Sequence, residues 1–196
     1  MELRIVYAGA PGSGKTTNLD VIRSVISGSG LSDVVKTCVS SIGKSPLDIL
    51  YFEIERKGAE RLGFRISTLP YVEDYKYLWK MILEGCHGIV VVIDSQLEKV
   101  EDNQACIRKI IDHLSAPKEH STPHPIFFQY NKRDLPGALL PEDLDDKLGP
   151  GAERSMLASA IRGEGVLATL MEMSRRILEY KNVSAARLKK LEEGLV

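Results

Sequence analysis

Lys15 and Thr16 close the stretch Gly9-Ala10-Pro11-Gly12-Ser13-Gly14-Lys15-Thr16, which fits G-x4-G-K-[ST] at every fixed position. An ammonium and a hydroxyl set side by side behind glycines suit a polyphosphate. The glycines let the backbone approach phosphate oxygens closely. Successive N–H groups and the first turn of a helix offer partial positive charge to the same oxygens. The spacing assigns Lys15 to the β- and γ-phosphates and the Thr16 hydroxyl to Mg²⁺. Gly9, Gly12, Ser13, Gly14 and Thr17 complete the expected phosphate-binding set. The competing reading is a glycine-rich strand-to-helix turn without a ligand, and a complete match in a strand-then-helix context argues against it.

Two further groups of residues bear on which base is held. Asn131-Lys132-Arg133-Asp134 follows an apolar run at Ile126 to Tyr130. The Asp134 carboxylate can accept two hydrogen bonds from guanine N1–H and the exocyclic amine, a donor pair that adenine lacks. The Lys132 stem can cover the flat face of the base. Alone, N-K-x-D also describes a polar turn; after a phosphate loop it is far more specific. Ser159-Ala160-Ile161-Arg162-Gly163-Glu164-Gly165-Val166 then resembles the S-A-K-x-G-x-x-V segment of Ras-like GTPases, whose backbone N–H groups contact the guanine oxygen. Ile161 replaces the usual lysine, which matters little where the backbone makes the contact.

These residues require particular elements beneath them. Leu3 to Ala8 reads as a buried strand, Thr16 to Ile26 as a helix with apolar positions at Leu19, Ile22, Val25 and Ile26. Leu47 to Ile54 and Arg61 to Leu69 read as an antiparallel hairpin around a short polar connection. Tyr71 to Leu83 is an amphipathic helix, His87 to Asp94 a central parallel strand, and Val100 to Leu114 a helix. Ile126 to Tyr130 and Arg154 to Ser159 are the last strands, and Gly165 to Tyr180 the last long helix. The alternation predicts an α/β fold: a three-layer P-loop NTPase (Ras-like G domain) with a mostly parallel sheet and one antiparallel hairpin strand. One domain is expected over residues 1–182, with a helical or frayed tail over 183–196.

Composition narrows the surroundings. With 196 residues, 43% hydrophobic and 27% charged, the chain suits one soluble domain. Its net charge of −1 provides no bulk field toward nucleic acid or an anionic membrane. No signal peptide and no membrane span are expected, and a cytoplasmic location follows as an expectation. Three cysteines, Cys38, Cys86 and Cys106, lack metal-ligand spacing, and Cys86 and Cys106 sit in apolar patterns that suit a core. Residues 189–196 hold no cysteine for prenylation and Met1-Glu2 starts no myristoylation signal, so no direct membrane anchor is expected. His120 and His124 flank a proline-rich loop and suggest no metal site.

The stretches "RIVYAGAPGSGKTTNL", "IVVVIDSQ" and "FFQYNKRDLPGAL" resemble the bacterial gliding-motility GTPase family of MglA, which carries "KIVYYGPG…GKTTNL", "VVFVADS" and "IQYNKRDLPNAL". The resemblance runs from about Leu3 to Tyr180 and is weakest between Leu31 and Tyr77. It implies GTP or GDP with Mg²⁺ as cofactors. It also implies a role in polarity or motility, a Roadblock/LC7-type regulator as partner, and protein effectors at the switch surface.

The trigger departs from that family. Where it has T-V-P-G-Q, this chain has Thr68-Leu69-Pro70-Tyr71-Val72. Tyr71 stands in place of the glycine that senses the γ-phosphate, and Val72 in place of the glutamine that orients water. A valine can neither orient nor polarise water. Glu73 is either a substitute that positions water or a solvent-facing helix residue. In the first switch, Ser45 and Pro46 fall near the family's Arg-Thr pair; Ser41, Ser45 and Lys44 offer hydroxyls and a cation, and equally suit a polar loop. No residue is assigned as catalytic. Slow or partner-dependent hydrolysis is expected, with a pseudo-GTPase scaffold as the alternative. Tyr71 filling the γ-phosphate space and admitting GDP alone is a further possibility. An ATP-using P-loop kinase is disfavoured by Asn131-Lys132-x-Asp134. Tyr71, Tyr75 and Tyr77 suit either a binding surface or the core side of a helix, whereas Trp79 suits the core.

Overall fold

Strand and helix alternate through the computed structural model, which describes residues 1–29, 36–42, 45–54, 61–70, 76–115, 124–149 and 155–181. The strands are β1 (Glu2–Ala8), β2 (Lys36–Ile42), β3 (Ser45–Ile54), β4 (Leu62–Thr68), β5 (Gly88–Asp94), β6 (Ile126–Asn131) and β7 (Met156–Leu157). The helices are α1 (Lys15–Ser29), α2 (Lys76–Glu84), α3 (Val100–Ser115), α4 (Pro141–Leu148) and α5 (Val166–Tyr180). The strands form one seven-stranded sheet in the order β2-β3-β4-β1-β5-β6-β7. β4, β1, β5, β6 and β7 are parallel neighbours, and β3 runs against both β2 and β4. The expected mostly parallel sheet with one reversed hairpin strand is the sheet observed.

Alternation along β1 explains the layers, because successive side chains point to opposite faces. Leu3, Ile5 and Tyr7 join the core formed with α1 and α5, including Ile22, Leu170 and Ile177. Val6 and Ala8 join the opposite core with Trp79, Leu83, Cys106, Ile110 and Leu144 from α2, α3 and α4. β5 lies between both cores and every one of its seven residues is buried, as its unbroken apolar run predicts. The β3–β4 pair is fastened by Phe52 against Phe64, directly opposed in register and stacked at 4.7 Å.

Several elements differ from the sequence expectation. Val25 is 40% exposed, and the buried stripe of α1 is Asn18, Leu19, Ile22 and Ile26. Val25 sits at the edge of that stripe, while Asn18 is drawn inside by a hydrogen bond to the Gly14 carbonyl. The strand expected over Arg154 to Ser159 is two residues long, Met156–Leu157. From Ser159 the chain turns into a single 3-10 turn, Ala160–Arg162, closed by Gly163 at φ 75°. β2 and α4 go beyond the sequence reading. Cys86 and Cys106 are buried, and so is Trp79, whose Nε1–H donates to the Pro70 carbonyl at 2.7 Å. The Trp79 ring packs 5.1 Å from that of His113. Tyr71, Val72, Glu73, Tyr75, Lys44, His120, Arg154 and the 183–196 tail lie outside the described residues, as do the side chains of Cys38, Ser41, Ser45, Pro46 and Tyr77.

Candidate functional site

The phosphate loop leaves the carboxyl end of β1, where the chain afterwards diverges toward β4 on one side and β5 on the other. Crevices at such reversals collect ligands in open α/β sheets. Gly9 has φ 153°, and a Cβ there would collide with the Val92 carbonyl oxygen. Gly14 has φ 102°, and its Cβ would collide with the Asn131 amide nitrogen. Both positions therefore exclude side chains, and the loop lies flat against β5 and β6. The Lys15 ammonium donates to the Gly9 and Ala10 carbonyls, each at 2.9 Å, and so curls over the loop. Burial lowers its pKa, while the nearby Cys106 and Asp48 oppose that shift. A half-buried ammonium that rests on neutral carbonyls is a fitting partner for an anion.

Thr16 is tied to a residue that the motifs do not include. Its hydroxyl donates to Asp48 Oδ2 at 2.5 Å. Asp48 lies on β3, 5% exposed, and its N–H donates to Thr68 Oγ1 at 2.9 Å. Thr68 ends β4 at the position where Ras-like proteins usually carry the aspartate behind Mg²⁺. The carboxylate is thus delivered from the neighbouring strand, opposite that threonine. A hydroxyl oxygen and a carboxylate oxygen together form a hard pair that suits a small divalent cation. The signal was present in the sequence: Asp48 is the one charged residue within Pro46 to Phe52, an otherwise strand-like run.

Asn131 joins the expected site residues. Its Nδ2 donates to the Ser13 carbonyl at 2.8 Å, and its Oδ1 accepts from the Ala160 N–H at 2.9 Å. One side chain thereby holds the phosphate loop and the 159–161 segment at a fixed spacing. Ser159 Oγ donates to Asp134 Oδ1 at 2.6 Å, and that bond holds the Asp134 carboxyl below the usual carboxylate range. The carboxylate thus stays ionised and able to accept from a donor pair. Ile161 is 76% exposed beside it. Among the described non-glycine residues, only Lys132 has positive φ, 64°. Beneath the loop, Gln129 Nε2 donates to Asn18 Oδ1 and Thr169 Oγ1, both at 2.9 Å, so β6 is bonded to α1 and α5. Gly9, Gly12, Ser13, Gly14, Lys15, Thr16 and Thr17 thus form one loop and helix start, with Asn131, Lys132, Asp134, Ser159, Ala160 and Ile161 in two loops beside it.

No protein-family model matches the sequence. It is 29% identical over 175 residues to the mutual gliding-motility protein MglA of Myxococcus xanthus (strain DK1622), covering 89% of this chain and 90% of that protein. It is 24% identical over 188 residues to ADP-ribosylation factor-like protein 6 of Caenorhabditis elegans, covering 91% of this chain and 88% of that one. The chain is thus similar over most of its length to MglA and to ADP-ribosylation factor-like protein 6. The fold agrees: the Arl6 BBS3 small GTPase of Trypanosoma brucei, solved with the nucleotide analogue GppNp, superposes with a TM-score of 0.61 at 18% identity. That superposition covers 91% of this chain and 99% of the GTPase. No described helix is long and apolar enough to cross a membrane.

Proposed function

We propose that this chain is a guanine-nucleotide-binding regulatory protein of the MglA type, cycling between GTP and GDP with slow or partner-dependent hydrolysis. The observation that supports the reading is the pair of hydrogen bonds that Asn131 makes with Ser13 and Ala160, which joins the Gly9–Thr16 loop to the 159–161 segment. Asp134 takes the guanine edge, the Ile161 N–H its oxygen, and the Lys132 stem its face. Lys15 and the loop N–H groups hold the phosphates, and Thr16, with Asp48 hydrogen-bonded behind it, would hold Mg²⁺. A divalent cation held there would neutralise phosphate charge.

The slow cycle follows from residue types. Val72 has no hydrogen-bonding atom for water, and Tyr71 cannot take a conformation reserved for glycine. Loss of an arginine finger alone removes a factor of about 10³ to 10⁵ in rate. The resemblance supports a cytoplasmic bacterial role in polarity or motility, a Roadblock/LC7-type regulator that completes the site, and effectors that read the switch surface. The nucleotide-stripped protein, incubated with Mg²⁺ and GTP, tests the reading when binding and phosphate release are followed in one sample. Tight GTP binding with slow release, accelerated by a partner, is expected. Multiple turnover by the chain alone at rates typical of assisted GTPases refutes the slow cycle.

A pseudo-GTPase scaffold is the second reading, favoured by the paired replacement at Tyr71 and Val72. Binding of GDP without GTP, or of neither, in the same experiment would select it.

A further inference from the structure

Asp94 ends β5 with 1% of its surface exposed, yet none of the phosphate or base motifs includes it. It is fixed from several sides. Its N–H donates to Asn103 Oδ1 at 3.3 Å, and Asn103 Nδ2 donates back to its carbonyl at 2.9 Å. Its Oδ1 accepts from the Gln96 backbone N–H at 3.2 Å and from Gln96 Nε2 at 3.0 Å. Its Oδ2 receives no aligned hydrogen bond and lies 2.6 Å from the Lys132 ammonium. That cation is the charge in contact with a buried carboxylate, and removing it would leave the carboxylate uncompensated. The ammonium is therefore held whether or not a ligand is bound.

A purely structural ion pair would place no demand on the lysine backbone. Lys132 nevertheless takes φ 64°, a conformation that L side chains adopt at a cost. It does so beside Asn131, whose two amide atoms are committed to the neighbouring loops. With its backbone and its ammonium both fixed, the lysine stem between them has little freedom left.

We propose that Asp94 is a positioning residue for the nucleotide base: it anchors the Lys132 ammonium so that the lysine stem lies across the base position before the nucleotide arrives. The inference rests on the guanine-nucleotide reading above. It has two consequences. The ordering of a long side chain, which binding otherwise has to offset, is done in advance. The Lys132 charge is also spent on Asp94 rather than on phosphates, so the clamp acts equally on GDP and GTP.

The test uses the full chain with Mg²⁺, and measures Kd for GDP, GTP and inorganic tripolyphosphate in the wild type and in Asp94→Asn. Asparagine keeps the size and the acceptor for Gln96 and removes the charge. GDP and GTP are expected to weaken together by roughly three- to tenfold, the ordering cost of one long side chain, with tripolyphosphate changed by less than about twofold. Equal weakening of all three means general damage to the site and overturns the inference. Unchanged GDP affinity overturns it as well. If Asp94→Asn does not fold, Asp94→Asn/Lys132→Met, which removes both charges, is compared with Lys132→Met. Equal GDP affinity in those two supports the anchor, and a further loss in the double variant refutes it. Failure of the wild-type chain to bind GDP at all overturns the guanine-nucleotide reading itself, and this inference with it.

Discussion

Replacing Asp48 by asparagine separates its charge from its shape. The amide oxygen can still accept from Thr16, whose hydroxyl now reaches Asp48 Oδ2 at 2.5 Å, and the backbone bond to Thr68 is untouched. Stability without nucleotide is therefore expected to change by no more than about 1 kcal/mol, the scale of one altered hydrogen bond. The metal is another matter. Outer-shell partners of metal ligands are worth about 10- to 100-fold in metal affinity, or about 1.4 to 2.7 kcal/mol. Burial puts Asp48 toward the upper part of that range, since water does not screen a carboxylate that is 5% exposed. The assay is the GDP dissociation rate as a function of Mg²⁺ concentration. In Asp48→Asn the Mg²⁺ midpoint should rise by one to two orders of magnitude, while the rate in excess chelator stays that of the wild type. An unchanged midpoint would refute the assignment of Asp48 to the cation. A changed chelator rate with an unchanged midpoint would refute it too, and make Asp48 a structural support for the loop.

His87 supplies a pH dependence. Burial, then the charges of Lys181, Arg4 and His124, push its pKa down from 6.5 to about 4. The Arg4 backbone N–H also donates to Nδ1 at 3.1 Å, an acceptor that an imidazolium lacks. Below pH 6.5 the unfolded chain binds a proton that the folded one refuses, so stability falls between pH 6.5 and 4. The full shift would correspond to about 3 kcal/mol, reduced to about 1–2 for a half-buried, partly screened ring; denaturant melts at pH 7 and 4.5 should show that loss, and His87→Asn should remove it. Gln129→Leu strips the shared donor from Asn18 and Thr169, at about 1–3 kcal/mol for buried acceptors left unpaired. The lower half of that range is expected in urea denaturation, because the variant also removes Gln129 Oε1, a buried oxygen without a partner. Gly88→Ala places a methyl 2.5 Å from Met173 Sδ and 2.9 Å from Ile177 Cδ1. Overpacking at this junction of β5 and α5 should destabilise by about 1–3 kcal/mol in the same measurement.

The main elements were legible wherever one periodicity ruled. β5 is apolar throughout and buried throughout, and α3 and α5 repeat at helical spacing. The phosphate loop could be read because its chemistry constrains adjacent residues. α4 carries readable marks, with Pro141 at its first position, Glu142 and Asp143 in its first turn and Leu144 as its buried contact, but its eight residues are too short for periodicity to stand out. Asp48 and Asp94 show the opposite limit. Each serves the site through a residue distant in sequence, Thr16 for one and Lys132 for the other, and the strand order brings the pairs together. Local spacing marks Asp48 as a lone charge in an apolar run, but it names no partner for either residue. Val25 differs for a related reason: the hydrophobic period ranks it inside, whereas Asn18 is buried instead, its Oδ1 bonded to Gln129 on β6.

Trp79 is the only tryptophan in the chain, and its ring nitrogen is bonded to Pro70, the last residue before the replaced trigger. Ultraviolet emission excited at the red edge therefore comes from a single chromophore, buried, in contact with an imidazole, and tethered to the sequence that distinguishes this chain from its relatives. Any rearrangement that draws on Pro70 alters the polarity and hydrogen bonding felt by that one indole. The protein thus carries an optical sensor of its own trigger, and the state of the segment can be followed in real time without attaching a dye.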